Sequence, residues 1–540
     1  MAFLVLLCGP ALAVGQAATQ GLSWPPDVDL YRDIAQAQTM ADGSPLADPF
    51  YRGETLWYNP LVPGLVAALS RFTGQPVHVL YARAGAYLNL LAPIVFFLLM
   101  DAFFGLPAAV LSTLHLLYLR DPTGPPWLSP SYSPWLYSAA FVPALFHATL
   151  LAYRRALVAR EQRWFAAAGV LLGLTFLGHT APALLAMVVV VVGLGRDMRA
   201  GEGRDSLSRH VLLALAATVT AAPFLSSILG RYGLRIRNSA PLDWVWPPMT
   251  LPNLAGFVAT QVSLPAMGAA LLALAWLLRR EPRRREAALL SSWAIAAAAL
   301  LALALLREAT GLGPRLVPRH HFLFYWRAAE SALLGYGAAT LLGALAWRRV
   351  PDRLRPAASL AAVAAVIALV LPSYRERDAF LASRRDAERD DSRANRQEAR
   401  DWIRAHSKPD DVFLAADDLA LMVVGPAGRK TLALDATFSN PYVDWRSRHD
   451  QREALVEALR ERRVSAFLDG ARAHGIAFVI HKRSDRWGPD GIPALAQEFA
   501  NARIGIYRVL IPAPSVLIRG SLRLQADLGV ASWRAGGPGS

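Results

Sequence analysis

Long apolar blocks, separated by short arginine-rich or aromatic segments, dominate the first 372 residues of this chain. Most blocks approach the ~20 residues that an α-helix needs to cross a ~30 Å hydrocarbon core, so the pattern predicts about eleven membrane spans. The predicted spans are 2–19, 84–104, 106–120, 135–153, 164–179, 181–195, 211–229, 262–278, 287–306, 322–347 and 356–372. Residues 60–72 are apolar over too few positions to cross and predict a helix lying at the membrane interface.

The pattern changes after residue 372, where short β-like runs alternate with amphipathic helical runs. Strands are predicted at 411–416, 431–434, 476–481 and 504–510, and helices at 396–406 and 446–463. Such alternation is typical of an α/β domain. The chain therefore predicts an α-helical polytopic membrane domain, 1–372, with a first exterior loop at 20–83, and a soluble α/β domain at 373–540.

Arginine clusters predict the orientation. They occupy loops 154–163, 196–210, 279–285 and 348–355, which share one side of the membrane if the N-terminus is cytoplasmic. The first exterior loop then follows one span and lies on the opposite side. An odd number of spans places the C-terminal domain on that side as well. Because Met1–Ala18 lacks the basic start of a signal peptide, we expect a retained first span. These features predict a multi-pass protein of the bacterial inner membrane.

Composition adds two constraints. The net charge is +15, but the chain has only three lysines, and most basic residues of the first 372 lie between apolar blocks. There they orient spans, so the charge does not predict a nucleic-acid partner. The single cysteine, Cys8, excludes an intramolecular disulfide.

The first exterior loop carries the strongest candidate chemistry. Asp27 and Asp29 directly follow the first span in a Trp-Pro-Pro turn, and Asp33 lies one helical turn further on. One carboxylate at this surface could act as general base on an acceptor hydroxyl. The other could orient the acceptor, or the two could bind a divalent cation such as Mg²⁺ or Mn²⁺. A solvated acidic turn is the alternative interpretation.

A second group of polar residues lies near the predicted exterior face. Arg315 and Arg319, followed by His320 and His321, place cations opposite to the positive-inside trend. This group could hold a lipid phosphate or merely contact acidic head groups. His179 ends a predicted span and is either a packed histidine or a substrate contact. Asn440 lies in an Asn-Pro turn that either is a structural loop or folds over the membrane site to contact the acceptor.

On these features the chain resembles the GT-C superfamily of membrane glycosyltransferases, such as protein O-mannosyltransferases and the lipid A aminoarabinose transferase. The likeness includes the acidic residues after the first span and the stretch Tyr58-Asn59-Pro60-Leu61-Val62-Pro63 that enters an apolar segment. It continues at Leu177-Gly178-His179-Thr180-Ala181-Pro182 and in the exterior C-terminal domain. The tail has no oligosaccharyltransferase-type W-W-D motif.

The resemblance implies an inverting transfer of a sugar from a polyprenyl-phosphate donor to a glycan, lipid or protein acceptor at the exterior face. Asp27 or Asp29 would be the base, and Asp33, Tyr58, Asn59 and the second polar group would bind substrates. A flippase of lipid-linked glycans, an O-antigen ligase or polymerase-type enzyme, and a non-catalytic scaffold remain as alternatives.

Overall fold

The computed structural model describes residues 1–119, 131–201, 203–243, 249–281, 284–314, 317–345, 351–386, 391–485 and 487–510. Arg315 therefore lies outside the described residues. The α-helices of the N-terminal part are α1 (Ala2–Thr19), α2 (Asp29–Ala41), α3 (Leu61–Thr73), α4 (Val77–Arg83), α5 (Gly85–Leu88), α6 (Leu91–Phe104), α7 (Leu106–Leu114), α8 (Ser138–Ala159), α9 (Gln162–Gly178), α10 (Thr180–Arg199), α11 (Gly203–Tyr232), α12 (Ala240–Asp243), α13 (Leu251–Phe257), α14 (Leu264–Arg280), α15 (Arg285–Thr310), α16 (Arg319–Leu345) and α17 (Arg355–Asp386).

Every predicted span coincides with helical structure, and α7 continues as a π-helix over His115–Leu119. Six helical stretches in the described part are long and apolar enough to cross a membrane: Ala2–Thr19, Gly85–Phe104, Thr180–Arg199, Gly203–Tyr232, Arg285–Thr310 and Arg355–Tyr374. The other predicted spans are shorter or more polar helices, so the total of about eleven stays a prediction. The interfacial segment is a helix, α3, as expected.

Two glycines allow α9 to lie close against α11. A Cβ on Gly173 would come within 2.7 Å of the Ala217 carbonyl oxygen, and one on Gly169 would clash with that of Leu213. These glycines are four residues apart on one face of α9, the spacing by which small residues bring membrane helices into close contact. The sequence analysis did not identify this motif.

The C-terminal part contains the helices α18 (Asp391–His406), α19 (Asp417–Leu419), α20 (Trp445–Arg460) and α21 (Val464–His474). Its strands are β1 (Val412–Leu414), β2 (Lys430–Thr431), β3 (Ile476–Lys482), β4 (Leu495–Ala500) and β5 (Ile504–Val509). They form a five-stranded sheet in the order β2-β1-β3-β5-β4. β2, β1 and β3 are parallel, whereas β5 runs antiparallel to β3 and β4. The α/β character was predicted; β4 and α21 were not.

One buried apolar cluster joins the first exterior loop to this sheet. It includes Ile34 of α2 and Phe50 on one side, and Ile403, Phe413 and Phe478 on the other. Burial of apolar side chains on both partners stabilises their association. α17 meanwhile runs through residue 372 to Asp386 without a break. The C-terminal domain therefore packs directly on the loop that carries the predicted carboxylates.

The Trp-Pro-Pro turn is held by the C-terminal domain. The Trp24 ring stacks on His78 of α4 at 4.3 Å, and the Arg400 guanidinium lies 3.6 Å from its centroid. Trp24 Nε1 also donates to Gln397 Oε1 at 2.8 Å. Burial, followed by the charges of Arg400 and Arg404, lowers the pKa of His78 to about 4, so a neutral imidazole faces the indole. Trp24 thus fixes the turn between α4 and α18.

Candidate active site

The first turn of α2 distinguishes the two leading carboxylates. Asp27 Oδ1 accepts a hydrogen bond from the Asp29 backbone N–H at 3.0 Å. This bond to a backbone N–H two residues on is an Asx-turn, which helps to start the helix. Asp29 is the first residue of α2, and its side chain is solvent-accessible. Asp27 thus has a local structural function, while Asp29 is left accessible.

The next turn of α2 supplies a buried cation. Arg32 forms an ion pair with Asp33 at 2.9 Å, and its guanidinium lies 3.8 Å from the centroid of the Tyr58 ring. Asp33 is only 3% exposed. The ion pair and the cation–π contact compensate for the burial of both charges. Asp33 and Tyr58, both predicted from the sequence, are therefore brought together by Arg32, which was not.

The Asp29 side chain is exposed to solvent, and Arg32, Asp27 and Asp33 are close enough to act on its carboxyl group. Burial raises the pKa of the Asp29 carboxyl above its usual range; Arg32 acts in the opposite direction, and Asp27 and Asp33 add to the increase. Burial likewise raises the pKa of Asp33, against the effect of Arg32. A carboxylate with a raised pKa is a stronger base than a free aspartate, as general-base catalysis near neutral pH favours.

Three histidines approach the same region from the membrane helices. The His179 and His321 rings are 4.3 Å apart, and the His320 and His321 rings are 4.0 Å apart. Arg32 is close enough to interact electrostatically with His179 and His321. His179 also caps α10, because its Nδ1 accepts the Ala181 N–H at 3.2 Å. Only its Nε2 position can then donate to another group.

Asn59 fixes the loop that presents Tyr58. Its Nδ2 donates to the Phe176 carbonyl oxygen at 2.6 Å, near the end of α9. Gln36 of α2 donates to the carbonyl oxygens of Tyr58 and Asn59 at 3.4 and 3.5 Å. Asn59 thus anchors the exterior loop to the helix that leads to His179.

Arg319 already has a charge partner. Its guanidinium is paired with Glu308, and its backbone N–H donates to the same carboxylate at 2.9 Å. The side chain is 4% exposed and lies 5.0 Å from the Phe257 ring. A phosphate at Arg319 would have to compete with Glu308, so His320, which is partly accessible, is the better placed of the two.

Asn440 belongs to a separate network between the first exterior loop and the C-terminal domain. Its Nδ2 donates to Asp48 Oδ2 at 2.9 Å and to the Thr55 carbonyl and Tyr232 hydroxyl oxygens at 3.2 Å each. Its Oδ1 accepts the Tyr442 N–H at 2.9 Å. The loop that contains Asn440 therefore packs on the first exterior loop, and its amide is used in that packing.

Arg32 and His321 are the main residues missing from the predicted site. Arg32 is three residues after Asp29 in the sequence, a spacing that places both on one helix face, and this could have indicated a charge partner. His321 was grouped with Arg315, Arg319 and His320 but was not among the predicted substrate-binding residues. Its approach to His179, on a helix distant in sequence, carries no local signal.

The side chains near Asp27 and Asp29 do not provide enough ligands for the predicted divalent cation. Within the ranges that the structure describes, no group of three or more His, Cys, Asp or Glu side chains is placed to hold a metal ion. Asp27 Oδ1 is engaged in the turn, and Arg32 already brings positive charge to Asp29 and Asp33. Asp27, Asp29 and Asp33 do not form a metal site by themselves, and the divalent cation stays a prediction.

Comparison with solved structures identifies the fold. An oligosaccharyltransferase from Archaeoglobus fulgidus, tethered with an acceptor peptide, superposes with a TM-score of 0.55 at 14% identity, over 89% of this chain and 69% of that one. ArnT from Cupriavidus metallidurans bound to undecaprenyl phosphate gives 0.54 at 16% identity, over 93% of this chain and 97% of that one. The chain has the GT-C glycosyltransferase fold. No protein-family model matches the chain, and no curated protein matches it.

The GT-C fold confirms the predicted architecture of a helical multi-pass membrane protein with a C-terminal α/β domain. The match to ArnT extends over nearly the whole of both chains. Identities near 15% show the fold alone; the roles of Asp27, Asp29 and the other site residues stay predictions.

Proposed function

We propose that this protein is a membrane glycosyltransferase that moves a sugar from a polyprenyl-phosphate donor to a hydroxyl acceptor at the exterior face, with Asp29 as the general base. The observation that carries the proposal is an accessible carboxylate of raised pKa beside Arg32, at the start of α2 in a GT-C fold. The neighbouring ArnT structure is bound to undecaprenyl phosphate, which is the leaving group that such a donor would release.

In the proposed step Asp29 takes the proton of the acceptor hydroxyl. The acceptor oxygen attacks the anomeric carbon and forms the new glycosidic bond. The bond from that carbon to the phosphate oxygen breaks on the opposite side, and the phosphate leaves with the electron pair. The configuration at the anomeric carbon is therefore inverted.

The leaving phosphate gains negative charge and needs stabilisation. Arg32, which interacts with Asp29, and the cluster of His179, His320 and His321 near Arg32 are polar groups that can supply it. Positive charge and N–H donors aimed at the developing charge lower the barrier. Arg319 stays a candidate for the same role only if the phosphate displaces Glu308.

A transfer assay tests the proposal. The purified protein in nanodiscs is incubated with radiolabelled polyprenyl-phosphate sugars and membrane extract, beside the Asp29→Asn and Asp27→Asn variants. We expect Asp29→Asn to lose about 10²–10⁴-fold of the transfer rate, because the general base is removed. Asp27→Asn should retain most of it, because an asparagine oxygen can still accept the Asp29 N–H. An equal loss of transfer rate in both variants would contradict the assignment of Asp29 as the general base. If the unmodified protein transfers no sugar from any donor, the proposed glycosyltransferase activity is wrong.

A lipid-linked glycan flippase is the second candidate, on one observation. Arg327 and Glu330 lie buried near the middle of α16, at 4% and 0% exposure. Buried ionisable groups in mid-span are typical of transport pathways. Movement of an unmodified labelled lipid between leaflets of proteoliposomes, without sugar transfer, would support this alternative.

A further inference from the structure

A cavity of about 440 Å³ lies between the membrane domain and the C-terminal domain. Its wall combines three distant parts of the chain. Glu54 comes from the first exterior loop, Arg231 and Tyr232 from the end of α11 with Arg237 just beyond, and Tyr442 and Arg448 from the C-terminal domain. The cavity therefore exists only when these parts are assembled.

Positive charge predominates in the cavity. Glu54 is shared by Arg231, at 3.7 Å, and Arg448, at 3.1 Å. Arg237 is exposed, and the described residues provide no ion-pair partner for its side chain. Only one other carboxylate lines the described wall, that of Asp444, which caps α20 by accepting the Ser447 N–H at 3.1 Å. Three guanidinium groups thus line the cavity together with two carboxylates. The net positive charge that remains can be neutralised by a bound anion.

An aromatic pair contributes to the same wall. The Tyr232 and Tyr442 rings stack at 5.0 Å with 14° between their planes. A hydrogen bond from the Tyr232 hydroxyl to Glu54 Oε2, at 3.0 Å, holds one ring in place. The faces of aromatic rings carry partial negative charge and attract the C–H groups of a sugar ring. Guanidinium groups beside such a surface suit a sugar that carries a phosphate or carboxylate.

The cavity is also near the candidate active site. Tyr58 is the fourth residue after Glu54 in the sequence, and an extended chain advances at most about 3.6 Å per residue. Their Cα atoms therefore lie within about 14 Å of each other, because a chain cannot span more than its extended length. A short oligosaccharide bound in the cavity can reach the region of Tyr58 and Arg32.

We infer that this cavity binds an anionic sugar of the acceptor, one that carries a phosphate or carboxylate group, and so selects the acceptor for transfer. The acceptor role rests on the glycosyltransferase function proposed above. The binding itself does not, because it follows from the arginines, the stacked tyrosines and the volume of the cavity.

A binding experiment without any donor tests the inference. Calorimetry in detergent compares glucose 1-phosphate, glucose and inorganic phosphate, using the unmodified protein, Arg237→Gln and the matched control Arg235→Gln. Arg235 is exposed in the same loop but does not line the cavity. We expect glucose 1-phosphate to bind more tightly than glucose or phosphate alone. Arg237→Gln should weaken it about tenfold or more, since a hydrogen bond to a charged group contributes about 1.5–3 kcal/mol, and Arg235→Gln should not.

Two results would overturn the inference. The first is absence of glucose 1-phosphate binding, or equal weakening by both arginine variants. The second is phosphate binding as tightly as glucose 1-phosphate, which would mean that the sugar is not recognised. If glucose 1-phosphate binds in a way that depends on Arg237 but the transfer assay is negative, the anionic sugar site stands and only its role in transfer is rejected. The two proposals can therefore fail separately.

Discussion

Asp27 and Asp29 are two residues apart but occupy different environments. The Asp27 carboxylate closes the turn that starts α2, and the Asp29 carboxylate is exposed to solvent near Arg32. The sequence predicted both as candidates without ranking them. Their difference depends on where α2 begins, because Asp27 precedes the helix and Asp29 is its first residue.

The pH dependence of transfer follows from the raised pKa of Asp29. A base acts only when deprotonated, so kcat/KM should fall as the pH is lowered through the pKa of Asp29. Because burial raises that pKa, the fall should begin at a higher pH than for a free aspartate. The pH profile of the initial transfer rate measures this. The residual activity of Asp29→Asn should lack that acidic limb, whereas Asp27→Asn should keep it.

Helices were predictable from apolar length, but their contacts were not. Each predicted span coincides with helical structure because a long apolar run in lipid must satisfy its own backbone hydrogen bonds. The edge strand β4 was missed because its Leu495–Ala500 sequence contains Ala, Gln and Glu, which favour helices. Only its pairing with β5 makes it a strand.

At the level of elements, the contact between α9 and α11 should depend on its glycines. Gly173→Ala should lower the midpoint of thermal unfolding, because the added methyl would force the Ala217 carbonyl away. Overpacking of this kind costs about 1–3 kcal/mol. Fluorescence-detected unfolding in detergent measures it. Gly195→Ala in α10 is the control, because a Cβ there meets no atom within 4 Å; an equal effect in both variants would reject the close-contact interpretation.

At the scale of the whole molecule, the junction between the first exterior loop and the C-terminal domain is a hydrogen-bonded unit. Asp48 Oδ1 accepts the N–H groups of Phe50 and Tyr51 at 2.8 and 2.9 Å. The Tyr51 hydroxyl contacts Ser439 Oγ at 2.7 Å, and Lys430 Nζ donates to the Asp48 carbonyl oxygen at 2.6 Å. Both domains thus contribute to the support of the loop that leads to Tyr58.

Asn440→Ala should destabilise this junction even without substrate. The substitution removes the amide that donates to Asp48 Oδ2, to the Thr55 carbonyl oxygen and to the Tyr232 hydroxyl. Loss of the donor to the buried Asp48 carboxylate should cost about 1–3 kcal/mol. Thermal unfolding of the donor-free protein measures the effect, with exposed Asp450→Ala as the control. An unchanged midpoint, with reduced binding of acceptor, would instead support the predicted contact between Asn440 and substrate.

The predicted orientation can be tested with single cysteines. Cys8 is buried, so background labelling should be low. Ser484→Cys lies on the exposed surface of the C-terminal domain, and Ser208→Cys lies in a predicted cytoplasmic loop. In intact cells a membrane-impermeant maleimide should label Ser484→Cys, and Ser208→Cys only after lysis. The reverse pattern would invert the predicted topology.

The sequence by itself determined the membrane character, the helical layout, the C-terminal α/β domain and the acidic turn after the first span. These follow from local composition and periodicity, because lipid and backbone impose them segment by segment. Only the tertiary structure decided that Tyr58, His179 and His321 lie near Arg32, that Glu308 pairs with Arg319, and that three chain segments line one arginine-rich cavity. Each of these contacts joins residues on different elements or faces, and their proximity depends on how the elements pack, which local patterns do not encode.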